Sequence, residues 1–291
     1  MRFSYRKDFS RRPRHILLFK LSKVILTREV VLLKSLCYDS NLVRVKFYGE
    51  TDTSFFMANY SEKIVMSIGG SLIVPNGGID TEFLKNLNKF IRDELAKKNC
   101  QFFLVTGGGK IARTYIEAGR SVVGHELPDD DLDWLAIHCT RLNGHLVRTI
   151  FRDIAHPITI KDYEVIRKAT EPVVVAAGWK PGWSTDFDAV MLCEDYGPRT
   201  VINLSNIEQV YDKDPNKFKD AKPVDKISWL EFRKLVGDGE TWTPGLNAPF
   251  DPVAAKKAEE LGVKVIVING KNFENLKKCL NGEKFLGTVI E

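Results

Sequence analysis

An apolar run, Phe102-Phe103-Leu104-Val105-Thr106, drives directly into three consecutive glycines and then into the basic, helix-compatible Lys110-Ile111-Ala112-Arg113. No other stretch limits the fold as much. A short apolar run bounded by glycine reads as a buried strand. Glycine at 107, 108 and 109 marks a place where something must approach the backbone too closely for side chains. A strand that turns on glycine into a helix is the opening of a crossover unit, and crossover units build parallel sheets.

The same alternation runs along the rest of the body. Apolar, β-branched segments predict strands over 63–68, 101–105, 173–177, 200–204 and 263–268, with 287–290 closing an edge. Three- and four-residue apolar spacing predicts helices over 80–97 with Asp80 as N-cap, 109–118, and 130–153 capped by Asp129 or Asp130. Further helices are expected over 185–196 with Thr185 capping, 228–236 with Trp229, Phe232 and Leu235 inward, 252–261 and 273–280. The expected fold is an α/β three-layer sandwich: a mostly parallel central sheet covered by helices on both faces. Four of the strands end in glycine or small polar residues, as GGS, TGGGK, AAGWKPGWSTD and NLSN. Ligands of such sheets gather at the carboxyl ends of the strands, so one edge of this sheet is read as a polyanion site.

Composition is that of an ordinary globular protein, and no apolar run is long enough to span a bilayer. The five cysteines are scattered without metal-ligand spacing, which points to free thiols in a reducing cytoplasm and to no protein-bound transition metal. The formal charge of +5 is local: residues 1–56 hold twelve of the 43 basic residues and five of the 38 acidic ones. The body is therefore slightly acidic, which argues against nucleic acid as a partner, and no membrane is expected. Residues 1–56 are read as a basic extension, either disordered or translated from upstream of a true start at Met57. Their apolar run is too broken for a secretory signal, and their Arg-rich beginning fits an organellar presequence loosely.

Each glycine loop has a bland reading as a tight turn and a functional one as an anion cradle. Gly107-Gly108-Gly109 presents amides at a helix start, with Lys110 and Arg113 in the first turn. Basic residues there oppose the helix dipole, and a bound phosphate would offset this. Gly69-Gly70-Ser71 offers a second cradle. Neither G-x-x-x-x-G-K-[ST] nor G-x-G-x-x-G is present. In Trp179-Lys180-Pro181-Gly182-Trp183-Ser184-Thr185 the loop carries two flat rings and two hydroxyls, either to anchor the loop or to hold a ligand. Tyr211 could pack on a base and Asp214 could bond a nucleoside, or simply form a turn with Pro215.

Taken in order, these motifs resemble the amino acid kinase family, and within it the archaeal-type UMP kinase branch, which also occurs in bacteria. The series is GGS, GGGKxAR, D…TRLN, PGWSTD, SNxxxVYxKDP and APFDPVAAKKAEELGVKVIVING, covering roughly 63–291. The resemblance implies ATP-dependent phosphorylation of UMP to UDP, with Mg²⁺ carried on the nucleotide phosphates, in a cytoplasmic homo-oligomer of hexameric type. It implies an acceptor-binding part over about 57–178 and an ATP-binding part over about 179–291. Gly69, Gly70, Ser71, Gly109, Arg113, Ser205, Asn206, Tyr211 and Asp214 match ATP contacts. Gly108, Asp133 and the loop Trp179, Lys180, Pro181, Gly182, Trp183, Ser184 and Thr185 match UMP contacts. Lys110 and Arg113 are the catalytic candidates. Three departures stand out: Ser67 occupies the place of a lysine found in many members, Glu208-Gln209 replaces a common Asp-Gly, and the acceptor loop carries two tryptophans. They keep other readings open, namely a carboxylate, carbamate or isopentenyl phosphate acceptor, or a nucleotide-binding regulator without catalysis.

Overall fold

The computed structural model describes residues 60–213, 215, 217–237 and 248–291. In chain order the elements are β1 (Glu62–Ile68), α1 (Gly70–Ile73), α2 (Thr81–Leu95), β2 (Cys100–Thr106), α3 (Gly109–Val122), α4 (Asp129–Ile150), β3 (Val173–Ala177), α5 (Thr185–Tyr196) and β4 (Thr200–Ser205). They continue as β5 (Val210–Tyr211), β6 (Pro223–Val224), β7 (Lys226–Ile227), α6 (Trp229–Val236), α7 (Pro252–Leu261), β8 (Lys264–Asn269), α8 (Phe273–Leu280) and β9 (Thr288–Ile290). The main sheet runs β3-β2-β1-β4-β8-β9-β7, and β5 and β6 form a separate antiparallel ribbon. From β3 through β8 every pairing is parallel. The expected closing strand, β9, does not lie at the edge: it runs antiparallel to β8 and carries the two-residue β7 on its far side.

Period-two alternation sorts the strand side chains between two apolar layers. Phe102 and Leu104 face α1, α2 and α8, whereas Phe103 and Val105 face α5, α6 and α7. Helices cover both faces, as the alternating pattern requires.

Caps account for most of the helix starts. Asp80 accepts from the Phe83 amide at 2.9 Å, and Ser228 and Glu231 form a reciprocal capping box. Two expectations change. The N-cap of α5 is Ser184 rather than Thr185, and α4 begins after Pro128 with Asp129, Asp130 and Asp131 in its first turn, none of them capping. These acids complement the positive end of the dipole instead. Leu235 lies on the solvent side of α6, leaving Trp229 and Phe232 as its buried anchors.

The tips of β1, β2, β3 and β4 lie side by side because the four strands are parallel and adjacent. That edge carries all four polar strand exits.

Candidate active site

Two glycine loops interlock at this edge. A Cβ placed on Gly70 would overlap the Gly109 amide nitrogen, and one on Gly107 would lie 2.5 Å from the Gly70 nitrogen. Side chains are thus excluded at 70 and 107 by the facing loop's own backbone. Gly109 also holds a φ of +72°, which disfavours any L side chain. The packing divides the amides into two sets. Gly69 donates to Leu204 O (2.9 Å), Gly107 to Ile68 O (3.0 Å) and Lys110 to Val74 O (3.0 Å). The amides of Gly70, Gly108 and Gly109 meet no acceptor among the described residues. They converge at the positive end of the 14-residue α3, the geometry that suits a phosphate.

A cleft of about 240 Å³ opens on these amides. Ala112, Arg113 and Ile116 of α3 form one wall, and Asp133, Ala136, Ile137 and Thr140 of α4 form another. Gly178 and residues 183–186 close the side, with Ala248 and Asp251 at the end. Gly70, Gly108, Gly109, Arg113, Asp133, Trp183, Ser184 and Thr185 therefore meet in one space. Lys110 is not part of the lining; its ammonium lies 3.8 Å from Glu117 on the outer face of the same helix. Gly69, Ser71, Trp179, Lys180, Pro181 and Gly182 are not part of the lining.

The loop over 178–184 crosses from β3 to α5 with no strand partner, so side chains must hold it. Asp133 Oδ2 accepts from the Gly182 amide at 2.8 Å, and Thr140 Oγ1 from the Gly178 amide at 2.9 Å. Arg141 donates from Nε to Gly178 O (3.0 Å) and from Nη2 to Trp179 O (2.5 Å). Asn143 donates to Gly107 O (2.8 Å), tying the glycine loop to the same helix. Of these four only Asp133 was given a role from sequence; Thr140, Arg141 and Asn143 belong to the TRLN segment of the motif series, with no role assigned to them. Thr140 and Arg141 stand two helical turns further on, on the same face, so period-3.6 spacing from Asp133 was the available signal. The tryptophans divide their work. Trp179 packs on Tyr163 and carries the Lys180 ammonium 3.9 Å above its ring, whereas Trp183, wedged edge-on between Trp179 (4.5 Å) and Phe187 (4.4 Å), lines the cleft.

Two acids, Asp186 and Asp251, line the cleft beside Ser184 and Ala248. Ser67, in the lysine's place, donates its hydroxyl to Asp186 Oδ1 at 3.0 Å, and the Asp251 amide donates to Asp186 Oδ2 at 3.2 Å. Burial, reinforced by the Asp251 charge, pushes the Asp186 carboxyl up to about 7, with the two hydrogen bonds opposing. Burial also raises Asp251, which caps α7 through its Oδ1.

On the other flank, Gly69 brings β1 against the tip of β4, where its Cβ would stand 2.8 Å from Leu204 O and 3.8 Å from Ser205 Cα. Ser205, Asn206 and Tyr211 follow there, outside the cleft lining, and Asp214 lies outside the described residues. Gln209, where a glycine was missed, is buried and donates to Asp225 Oδ1 (2.7 Å) and Gly287 O (3.1 Å). It replaces a permissive turn by a side-chain tether to the end of the chain.

A three-layer sheet with a glycine-lined anion edge and an adjoining cleft is the architecture of a small-molecule phosphotransferase. The chain belongs to the amino acid kinase family, whose model matches residues 62–269. It is similar to the uridylate kinase of Thermoplasma volcanium, 34% identical over 232 residues that cover 79% of this chain and 98% of the relative. The uridylate kinase of Methanocorpusculum labreanum is 33% identical over 230 residues, covering 78% and 95%. Among solved structures, the uridylate kinase of Archaeoglobus fulgidus superposes with a TM-score of 0.65 at 32% identity, over 79% of this chain and all of that one. The UMP kinase of Ureaplasma parvum, at 18% identity and a TM-score of 0.61 over 79% of this chain and 98% of that one, shares the fold.

Proposed function

We propose that this protein transfers the terminal phosphoryl group of ATP to UMP, producing UDP. The observation that carries this reading is the single cleft in which the unengaged amides of Gly70, Gly108 and Gly109 face Arg113 on one side and Asp133, Trp183 and Thr185 on the other. Its kinship with uridylate kinases runs over nearly their whole length. ATP is assigned to the flank formed by Gly69, Gly70, Ser71, Ser205, Asn206 and Tyr211, and Asp214, outside the described residues, is assigned to it by resemblance alone. UMP is assigned to the cleft between α3, α4 and the 179–185 loop. The division into an acceptor part over 57–178 and a donor part over 179–291 belongs to the same reading.

Phosphoryl transfer needs alignment and charge neutralisation more than covalent chemistry. Here the glycine amides would hold the phosphate oxygens at the end of α3, and Arg113 would take up charge as the bond to the leaving group lengthens. The attacking oxygen of UMP is already ionised at neutral pH, so no general base is required. The cleft's hard oxygen donors, Asp186 and Asp251, suit Mg²⁺, which when bound on the triphosphate supplies further neutralisation. Arg113 is the favoured catalytic cation over Lys110, because Lys110 faces Glu117. A cytoplasmic location and a homo-oligomeric, hexameric state complete the proposal; the exposed Tyr115, Val122 and Leu142 on α3 and α4 suit self-association.

An ADP-release assay across UMP, CMP, dUMP, aspartate and acetylglutamate, with Mg²⁺ present, tests the assignment. Turnover is expected with UMP foremost. Turnover confined to a carboxylate acceptor overturns it.

A further inference from the structure

We propose that Arg141 is the positioning residue of the acceptor loop and that Asp188 backs the same turn. The inference rests on the reading of 179–185 as the loop that holds the acceptor nucleotide.

Among the described residues, the hydrogen bonds that hold the Gly178-Trp179 turn come from neighbouring residues of α4. Thr140 takes the Gly178 amide, and the Arg141 guanidinium takes both carbonyls, at 3.0 and 2.5 Å. A planar fork satisfies two carbonyls at once, which an ammonium at the end of a flexible stem does not. The guanidinium is itself confined, with its carbon 5.6 Å from the centre of the Trp134 ring. Two turns earlier, Asp133 holds the far end of the loop through Gly182. The loop is thus carried on one helix, and Arg141 makes two of the four bonds.

Asp188 lies behind this turn on α5. It is fully buried, and neither of its oxygens completes a hydrogen bond. Such a group is costly unless it serves something. It stands close to the Trp179 amide without reaching hydrogen-bonding geometry; burial pushes its carboxyl well above the usual carboxylate range and favours the neutral acid, which the Arg141 guanidinium opposes only in part. Tyr163, the other polar group on that side, turns its hydroxyl to Ala177 O at 3.3 Å.

The test uses the full chain and the variants R141M, R141K, D188A and R141M/D188A. Two measurements are made: the Michaelis constants for UMP and ATP separately, and amide hydrogen exchange of residues 178–185 without nucleotide. Loss of two charge-assisted bonds in R141M is expected to raise the UMP constant by about tenfold to a hundredfold. The ATP constant should stay within about twofold, and exchange over 178–185 should accelerate. R141K should fall short of full rescue in both readouts. D188A should shift both in the same direction by less, and add little in the R141M background. An unchanged UMP constant with unchanged exchange in folded R141M overturns the role of Arg141. An undiminished D188A effect in the R141M background overturns the link to Asp188. If R141M does not fold, R141K decides by the same two measurements, since it keeps the charge and loses the fork. Should the wild-type chain not turn over UMP, the functional proposal fails, while the exchange experiment still decides this one.

Discussion

The two flanks of the glycine edge are held in place by different means. The loop proposed to hold the acceptor has no strand partner and hangs from side chains of one helix: Asp133, Thr140 and Arg141. The flank proposed for the donor is held by a short strand pair together with side-chain bonds that reach the C-terminal segment. There β5 pairs with β6, the Val210 amide donates to Thr288 Oγ1 at 2.8 Å, and Gln209 reaches Asp225 and Gly287. A segment fastened by a few side chains can be adjusted by single substitutions, whereas one fastened through strands resists them. Acceptor choice should therefore be the easier property to alter, and donor binding the harder.

The interlocked glycines belong to both flanks, so the largest effect is expected there. Gly70→Ala sets a methyl group against the backbone of Gly107, Gly108 and Gly109. It should cost about 3 kcal/mol or more of stability and abolish activity, as read by chemical denaturation and the ADP-release assay. A folded, active variant would break the account of the junction. Next in size, Arg113→Ala should lower kcat by about a hundredfold or more, whereas Lys110→Ala should stay within about tenfold. Steady-state kinetics with both variants sharpens the boundary between cleft wall and outer face. If Lys110→Ala has the larger effect, the assignment reverses.

The third prediction concerns the acids under the acceptor side. The Asp186 carboxyl is held at about 7, above its ordinary 3.8. Between those values the folded state binds more protons than the unfolded one, so this group's contribution to stability falls as pH rises from about 4 to about 7 and then levels. Asp186→Asn removes that penalty, so its melting temperature relative to the wild type should be higher at pH 8 than at pH 5. An identical difference at both values refutes the assignment. The smallest effect is expected on the donor flank. Gln209→Gly should cost about 1–2 kcal/mol through two lost hydrogen bonds and leave the Michaelis constant for UMP unchanged, by denaturation and kinetics.

Much of this architecture was legible because local signals agreed. The boundaries of β3, α5, α7 and α8 follow directly from apolar runs ended by glycine, proline or a capping residue. The position of β9 was not legible, since three residues carry no periodicity and its place between β8 and β7 depends on pairing partners distant in sequence. Leu235 misled for a related reason: helical spacing identifies a stripe but not its width, and α6 buries only Trp229 and Phe232. At the site, the glycine loops were visible as motifs, but their mutual packing was not, because one loop's crowding is set by the other, some forty residues away. Arg141 entered only as part of the TRLN motif, and Asp188 not at all, because an arginine or aspartate within a helix ordinarily faces water.

The facing glycine turns also bear on how such a site can be reused. Since each turn is the steric boundary of the other, neither is a portable module. Transplanting the segment after β2 into another scaffold would bring bare amides but no opposing wall to set their spacing. The smallest transferable unit is the pair of adjacent parallel strands with both of their exits.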